Sequence, residues 1–305
     1  MRVSVVVCEH TMERYDDVQE AADSVLSQTY DDVELVLVSD GNETVCERFR
    51  DDYGTRDDVV VHCNDDNVGL LESRNNGAGA ATGDVVAFLD DDAVADPEWV
   101  AELVDVYRNR DVVAVGGKMT PLWVAGKPSF LPEEFYWLVG VTHRGFADGP
   151  GYVRNTFGSN ISFDRDVFLE LDGFDTEIGG RKGDKNLQGG ETELCARLAD
   201  RYGENVWYNP DAEVGHKVFE YRTDVWWLLD RAFWQGYSKR AMEVLLPDSG
   251  GEEGAFLSRL LTRSVPDRTK GIVRSPSSGQ IGQLAMLFVF TILVGLGYVY
   301  GAVKW

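Results

Sequence analysis

Basic residues are scarce in this chain. Its 305 residues include 52 Asp and Glu against 29 Lys and Arg and 4 His, a formal charge of −23. A surface of that sign repels phosphate backbones, which argues against a nucleic-acid partner. The acidic residues are spread along the chain in pairs (Asp16-Asp17, Asp31-Asp32, Asp51-Asp52, Asp57-Asp58, Asp65-Asp66) and not gathered in a tail. Such a solvated surface suits a high-salt cytoplasm, where screening makes a large net charge tolerable. Cysteine is also sparse. Cys8, Cys46, Cys63 and Cys195 show no CxxC spacing, so a zinc ribbon or thioredoxin-like site is not expected. Their low number suits reduced thiols in a cytosol. Neither GxGxxG nor GxxxxGK[ST] is present, which removes dinucleotide and P-loop readings. The only apolar run near the N-terminus, Val3–Val7, is too short for a signal peptide.

What the chain does have is a repeating alternation. Apolar runs at Val3–Val7, Val33–Val38, Val59–His62, Val85–Leu89 and Val112–Val115 read as strands, with helical stretches between them. Val18, Ala21, Ala22, Val25 and Leu26, for instance, fall at helical spacing. Repeated β-α-β units predict an α/β fold: a Rossmann-like, mostly parallel sheet flanked by helices. Ligands bind such sheets beyond the carboxyl ends of the strands. Asp40 and the run Asp90-Asp91-Asp92 stand there, each just after a strand candidate.

Past residue 117 the pattern changes. Prolines and glycines break up an aromatic segment containing Trp123, Phe130, Phe135, Tyr136 and Trp137. A strand-like stretch at Gly158–Phe163, a glycine-rich loop at Ile178–Gly190 and a helix starting near Glu191 follow. The expected organisation is a nucleotide-binding half over 1–117, a second half over 118–246, an amphipathic basic linker over 247–280 and a membrane segment over 281–303. Leu284–Val303 carries no charge; at about 1.5 Å per residue it reaches roughly 30 Å, the thickness of a bilayer core. Arg259, Arg263, Arg268, Lys270 and Arg274 precede this stretch and only Lys304 follows it. That bias predicts a single-pass C-terminal transmembrane helix with the large domain in the cytoplasm, at the cell membrane.

The three adjacent aspartates of FLDDDA repel one another unless a cation sits among them. Hard divalent cations such as Mg²⁺ or Mn²⁺ prefer oxygen ligands. Asp90 and Asp92, one residue apart, can turn both carboxylates towards one ion.

Three blocks in fixed order carry a family resemblance. They are VSVVVCEHTMERYDDVQEAADSVLSQTYDDVELVLVSDGN, NVGLLESRNNGAGAATGDVVAFLDDDA and GSNISFDRDVFLELDGFD. Over about residues 3–245 the chain resembles family 2 glycosyltransferases. LPEEFYWLVG, the RN…GSN segment and the C-terminal apolar stretch are similar to haloarchaeal members that build the dolichol-linked glycan for S-layer protein N-glycosylation. The resemblance implies a GT-A fold and inverting transfer of one sugar, a hexose or hexuronic acid, from a nucleotide donor. The DxD motif falls on Asp90 and Asp92, with Asp91 facing the ribose or supporting the ligands. Asp40 matches the second aspartate of VDDGS and would accept from uracil N3–H, which favours a UDP-sugar. Ser39 replaces the first aspartate, Glu9 stands for the threonine of PTYN and Thr11 for its asparagine. Arg74, in SRNNG, would reach a phosphate, and Arg231 and Lys239 would close over the diphosphate. His216 falls where some relatives place a metal or diphosphate ligand.

For the general base the resemblance implies the aspartate of GEDTELC. Here the stretch reads QGGETELC. With TELC ungapped, Glu191 takes the aspartate's place and can perform the same proton transfer. The other alignment puts Thr192 there and predicts a crippled enzyme; Glu193 is the reserve base. The QxxRW of processive members is absent, so one addition per encounter is expected. The resemblance makes 118–246 the acceptor-binding and catalytic half and, with the apolar tail, implies as acceptor a polyprenyl (dolichyl) phosphate-linked glycan, or dolichyl phosphate itself, with other glycosyltransferases of the pathway as partners. The rivals are a catalytically inactive scaffold, supported by Gly190-Glu191, and a nucleotidyltransferase, which lacks a basic triphosphate loop near residue 10.

Overall fold

Strand β1 (Val3–Glu9) is buried along its whole length because it lies inside a sheet covered on both faces. The computed structural model describes residues 1–178, 181–182, 185–203, 205–246 and 252–305. The centre of the glycine-rich loop and the first residues of the expected linker, 247–251, lie outside these. In β1, Val3, Val5 and Val7 enter one apolar core while Val6 and Cys8 enter another. This two-residue period, with a helix layer over each face, is why the run shows no polar alternation.

After β1 come α1 (Tyr15–Leu26), β2 (Val33–Asp40), α2 (Glu43–Tyr53), β3 (Val59–Asn64), α3 (Leu70–Ala80) and β4 (Val85–Leu89). Then follow β5 (Ala93–Ala95), α4 (Trp99–Asn109), β6 (Ala114–Trp123), β7 (Gly151–Val153), β8 (Ile161–Asp164) and α5 (Arg165–Glu170). A two-stranded ribbon of β9 (Arg181–Lys182) and β10 (Lys185–Asn186) precedes α6 (Gly190–Tyr202) and β11 (Val206–Val218). The chain ends with α7 (Val225–Leu245), α8 (Glu252–Arg259), α9 (Val265–Arg274) and α10 (Ser278–Lys304).

The main sheet runs β3-β2-β1-β4-β8-β6-β11-β5, with β7 on β11. β1 to β4 are parallel, β8 is antiparallel to both β4 and β6, and β11 is antiparallel to β5 and β7. The sheet is thus mixed and mostly parallel on the side that holds the β-α-β units. α1, α2 and α4 cover one face through Val18, Ala21, Phe49, Trp99 and Leu103. α3, α5 and α6 cover the other through Ala78, Phe168, Leu194 and Leu198. β6 extends well beyond the expected Val112–Val115. Gly116 and Gly117 sit within it because the Thr156 side chain and the Ala212 carbonyl occupy the space a Cβ would need.

Two compact units are distinguished. One comprises Met1–Thr120, Gly149–Glu177 and Gly190–His216; the other comprises Pro121–Asp148, Ile178–Gly189 and Lys217–Trp305. In the second, Leu131, Phe135, Leu228, Ala232, Leu287 and Phe290 form an apolar core. Beside it the buried Glu134 pairs with Arg268. By length and composition α10 is able to cross a membrane, with a mean hydropathy of 2.1 over its most apolar window. It packs on α7 at two glycines. A Cβ on Gly236 would land on the Val294 carbonyl, and one on Gly297 on the Phe233 carbonyl. Small residues allow this close backbone approach.

The expectation of reduced thiols does not hold for two of the cysteines. Cys46 and Cys63 form a disulfide, with Cα atoms 5.8 Å apart. The chain turns back after α2 so that β3 lies beside it, which brings together cysteines separated by 17 positions. Cys8 and Cys195 are free and buried.

Candidate active site

The carboxyl ends of β1, β2 and β4 converge because these strands are adjacent and parallel, so Glu9, Asp40 and Asp90 leave the sheet at one edge. Asp40 is buried and held by its surroundings. One oxygen accepts from Val68 N–H at 2.8 Å and Asn64 Nδ2 at 3.2 Å, and the other accepts from Gly69 N–H at 2.9 Å. Those amides come from the turn that opens α3, which explains the positive φ of Gly69. Glu9 is also buried. Its Oε1 accepts the His10 and Thr11 amides at 2.7 and 2.8 Å, and its Oε2 is buried with no hydrogen-bond partner. Such a carboxylate oxygen calls for a donor.

After β4 the chain makes a tight turn, with Ala93 N–H bonded to the Asp90 carbonyl at 3.1 Å, and enters β5. Because β5 pairs with β11 in the register Ala93↔His216, His216 is set beside the acidic run. Its Nε2 lies 3.3 Å from Asp92 Oδ1. Arg14, just before α1, reaches the same run, at 2.6 Å from Asp91 and 3.4 Å from Asp92. Burial first, then the Asp92 charge, push the Asp91 carboxyl up to about 8, although Arg14 opposes the shift. Burial likewise pushes the Cys8 thiol far above its usual range, so it stays protonated and is no nucleophile.

Arg74 joins the two halves of this site. Its side chain is 3% exposed, donates to Asp90 Oδ1 at 2.5 Å and to Glu191 Oε1 at 3.1 Å, and lies over the rings of Phe88 and Phe174. Glu191 stands in the first turn of α6, where the helix N-terminus favours negative charge. Gly158 leaves room for it, since a Cβ there would overlap Glu191 Oε1 and crowd Arg74 Nη1. Glu193 has different partners. Both its oxygens bind Arg197, at 2.6 and 2.7 Å, and Arg197 also donates to the carbonyls of Leu171 and Gly173.

The structure therefore gathers Glu9, Asp40, Arg74, Asp90, Asp91, Asp92, Glu191 and His216 within one unit. Arg231 and Lys239 belong to the other unit. There Lys239 pairs with Glu253 at 3.1 Å and lies over Trp137, and Arg231 lies over Trp227. Arg14 was not singled out by sequence reasoning. It is a lone arginine in a polar loop, and only the fold brings it across 77 positions to Asp91.

Among the described residues no group of three or more His, Cys, Asp and Glu is arranged to hold a metal ion. As placed, Asp90 turns to Arg74 while Asp92 turns to His216 and Arg14, so the carboxylates address separate cationic partners. The donor set still suits a hard divalent cation. Asp90, Asp91 and Asp92 offer carboxylate oxygens, the donors such an ion prefers, and the Asp92 charge adds to burial in raising the Asp91 carboxyl despite Arg14.

Residues 4–171 match the family described as glycosyl transferase family 2. The chain is 56% identical to the glucosyl-dolichyl phosphate glucuronosyltransferase of Haloferax volcanii over 302 residues, covering 99% of this chain and 96% of that protein. It is 27% identical to the succinoglycan biosynthesis protein ExoM of Rhizobium meliloti over 59% of this chain and 54% of that one. Among solved structures, the fold is similar to the Pyrobaculum calidifontis mannosyltransferase PcManGT, in complex with GDP-Man and Mn²⁺. The TM-score is 0.62 and the identity 16%, over 98% of this chain and 87% of that one. It is also similar to GalNAc-T7 with UDP, GalNAc and Mn²⁺, with a TM-score of 0.56 and 18% identity over 85% and 54% of the two chains.

Proposed function

The chain belongs to glycosyl transferase family 2, and from that premise we propose that it transfers a hexuronic acid from a UDP-sugar to a glucosyl-dolichyl phosphate, with inversion. The full-length likeness to the Haloferax volcanii glucuronosyltransferase supports this choice of donor sugar and acceptor. The observation that carries the mechanism is the Arg74 bridge. One buried guanidinium ties the acceptor-side carboxylate, Glu191, to the donor-side carboxylate, Asp90.

In this reading Asp40 and Glu9 receive the nucleoside, Glu9 through its unpartnered Oε2. Asp90 and Asp92, with His216, would hold the Mg²⁺ or Mn²⁺ whose charge offsets the departing diphosphate. Both solved neighbours contain Mn²⁺. Glu191 takes the proton of the acceptor hydroxyl as that oxygen attacks the anomeric carbon from the face opposite the diphosphate. Arg74 holds Glu191 in place through its hydrogen bond to Oε1, while Asp91 and Arg14 support the ligand run. Chain attachment is through α10, at the cell membrane, with the nucleotide-binding unit on the cytoplasmic side. The product is a lipid-linked glycan intermediate for S-layer protein N-glycosylation, handled by further glycosyltransferases.

The test uses the full chain in detergent with glucosyl-dolichyl phosphate and UDP-glucuronic acid carrying a radiolabelled sugar. Lipid-phase label is expected. Its chelator-sensitive loss tests the metal, and an α-linked donor giving a β-linked product tests inversion. Glu191→Gln is expected to reduce kcat by about 10²–10⁴-fold. A variant that turns over at the wild-type rate removes Glu191 as the base. Labelling of dolichyl phosphate in place of its glucosylated form would shift the acceptor to the earlier step. The Gly190-Glu191 departure favours one second reading, a non-catalytic scaffold, which predicts donor binding with no transfer to either lipid.

A further inference from the structure

We propose that α10 lies in the plane of the membrane, as the apolar underside of its unit, and leaves both chain ends on the same side. This reading replaces the single crossing expected from length alone, and it rests on the membrane attachment proposed above.

The helix is covered on one side along its length. Near its start Gly279 approaches Ser129, Gly282 approaches Phe130, and Gln283 donates to the Ser129 carbonyl at 3.0 Å. Phe290 meets Phe135 with ring centres 5.3 Å apart. From there α7 runs alongside. Leu228 and Ala232 share a core with Leu287 and Phe290, the Phe233 carbonyl faces Gly297, and the Arg240 side chain lies against Gly301. Even the last residue, Trp305, has its ring 6.4 Å from that of Tyr237. The uncovered side is a single stripe at helical spacing: Ile281, Phe288, Ile292, Leu296, Val299 and Val303. All are exposed and none is charged, with Ile292 at 61% and Val303 at 80%.

A crossing would carry the covering layer into the hydrocarbon. α7 holds Asp230, Arg231, Lys239, Arg240 and Glu243 alongside the apolar segment. Arg240 pairs with Glu243 at 3.2 Å, and Glu243 also accepts the hydroxyl of Tyr298, which belongs to α10 itself. Charged side chains at bilayer depth are expensive, and α7 brings several of both signs. Crossing alone would instead require α10 to undock, which would expose the core of Leu228, Leu287 and Phe290 and open the glycine contacts. Lying in the plane avoids both costs. The stripe then contacts acyl chains while α7 stays on the aqueous side.

The segment just before α10 has matching chemistry. Arg263, Lys270 and Arg274 are exposed, as are the apolar Leu261 and Val273, in a chain whose net charge is −23. Basic residues beside exposed apolar ones suit the headgroup level of an anionic leaflet.

The experiment places an epitope tag after Trp305 or before Met1 of the full chain and applies protease to sealed vesicles of each orientation. Both tags are expected to be cut from the same face. Tags cut from opposite faces overturn the in-plane reading while leaving attachment intact. A wild-type chain that fails to float with vesicles of anionic phospholipid overturns the attachment on which the proposal rests. In the same flotation, Ile292→Glu with Leu296→Glu is expected to lower the vesicle-bound fraction about 10-fold or more. UDP binding and thermal unfolding are expected to stay as in wild type, since these side chains point away from the core. Undiminished flotation of that folded variant removes the stripe as the contact surface.

Discussion

Replacing Arg74 with alanine takes one guanidinium from between two carboxylates. The Arg74 side chain is 3% exposed, and those of Asp90 and Glu191 are 27% and 26% exposed. Removing one partner of a fully buried pair costs about 3–5 kcal/mol, because the other charge is stranded away from water. Here the stranded carboxylates keep some water contact and can swing apart, which lowers the expected loss to about 2–4 kcal/mol. The arginine also lies over the Phe88 and Phe174 rings, so its loss costs packing as well as charge. At about 2–4 °C per kcal/mol for a chain of this size, Tm should fall by about 4–16 °C. The assay is thermal unfolding followed by circular dichroism at fixed salt, run as a cycle with Glu191→Gln. The two effects should be non-additive by about 0.5–3 kcal/mol, since the carboxylate no longer needs its partner once it is neutral. Arg74→Lys keeps the charge but loses the fork, and should fall between wild type and alanine. A Tm within about 1 °C of wild type for Arg74→Ala, or strict additivity in the cycle, would refute the bridge as a structural tie between Asp90 and Glu191.

Three further outcomes follow from other parts of the molecule. Burial alone would raise the pKa of Glu34, but hydrogen bonds from Ser4 and Thr82 and the charge of Arg2 outweigh it and hold the carboxyl below its usual 4.5. A lowered folded pKa means stability that is present above 4.5 and lost as pH falls below it. Glu34→Gln should therefore lower Tm at pH 7 and flatten the acid side of a Tm-against-pH profile, whereas a parallel profile would contradict the assignment. Non-reducing peptide mapping should find Cys46 joined to Cys63, and Cys46→Ser should cost up to about 3 kcal/mol in urea unfolding. Free thiols at both positions in the chain purified without reductant would exclude the bond. Gly297→Leu should lower Tm and expose α10 to proteolysis, because a side chain there meets the Phe233 carbonyl, while Gly295→Leu, with open space around it, should do neither.

Much of the fold was legible because its signal is local. Val3, Val5 and Val7 against Val6 and Cys8 make a two-faced strand in any register, and the three motif blocks kept their order, so the parallel strands and the acidic run at their carboxyl ends could be read directly. The long strand β6 could not. Gly116 and Gly117 lower strand propensity, and only Thr156 and Ala212, which pack against them, show why glycine is needed there. For the site, the carboxylates of the acidic run and Glu191 could be singled out in the sequence, but nothing there joined them.

Sequence alone determined the identities of these groups: three aspartates after a buried strand, a glutamate at a helix start, an apolar tail. The tertiary structure decided which of them meet. It set Arg74 on Glu191 across 117 positions, His216 on Asp92 through the pairing of β5 with β11, and Cys46 on Cys63. It also laid α7, with its charges, along the tail helix. Composition records what a segment can bury, but charge pairing and helix docking depend on distances that exist only once the strands have chosen their neighbours.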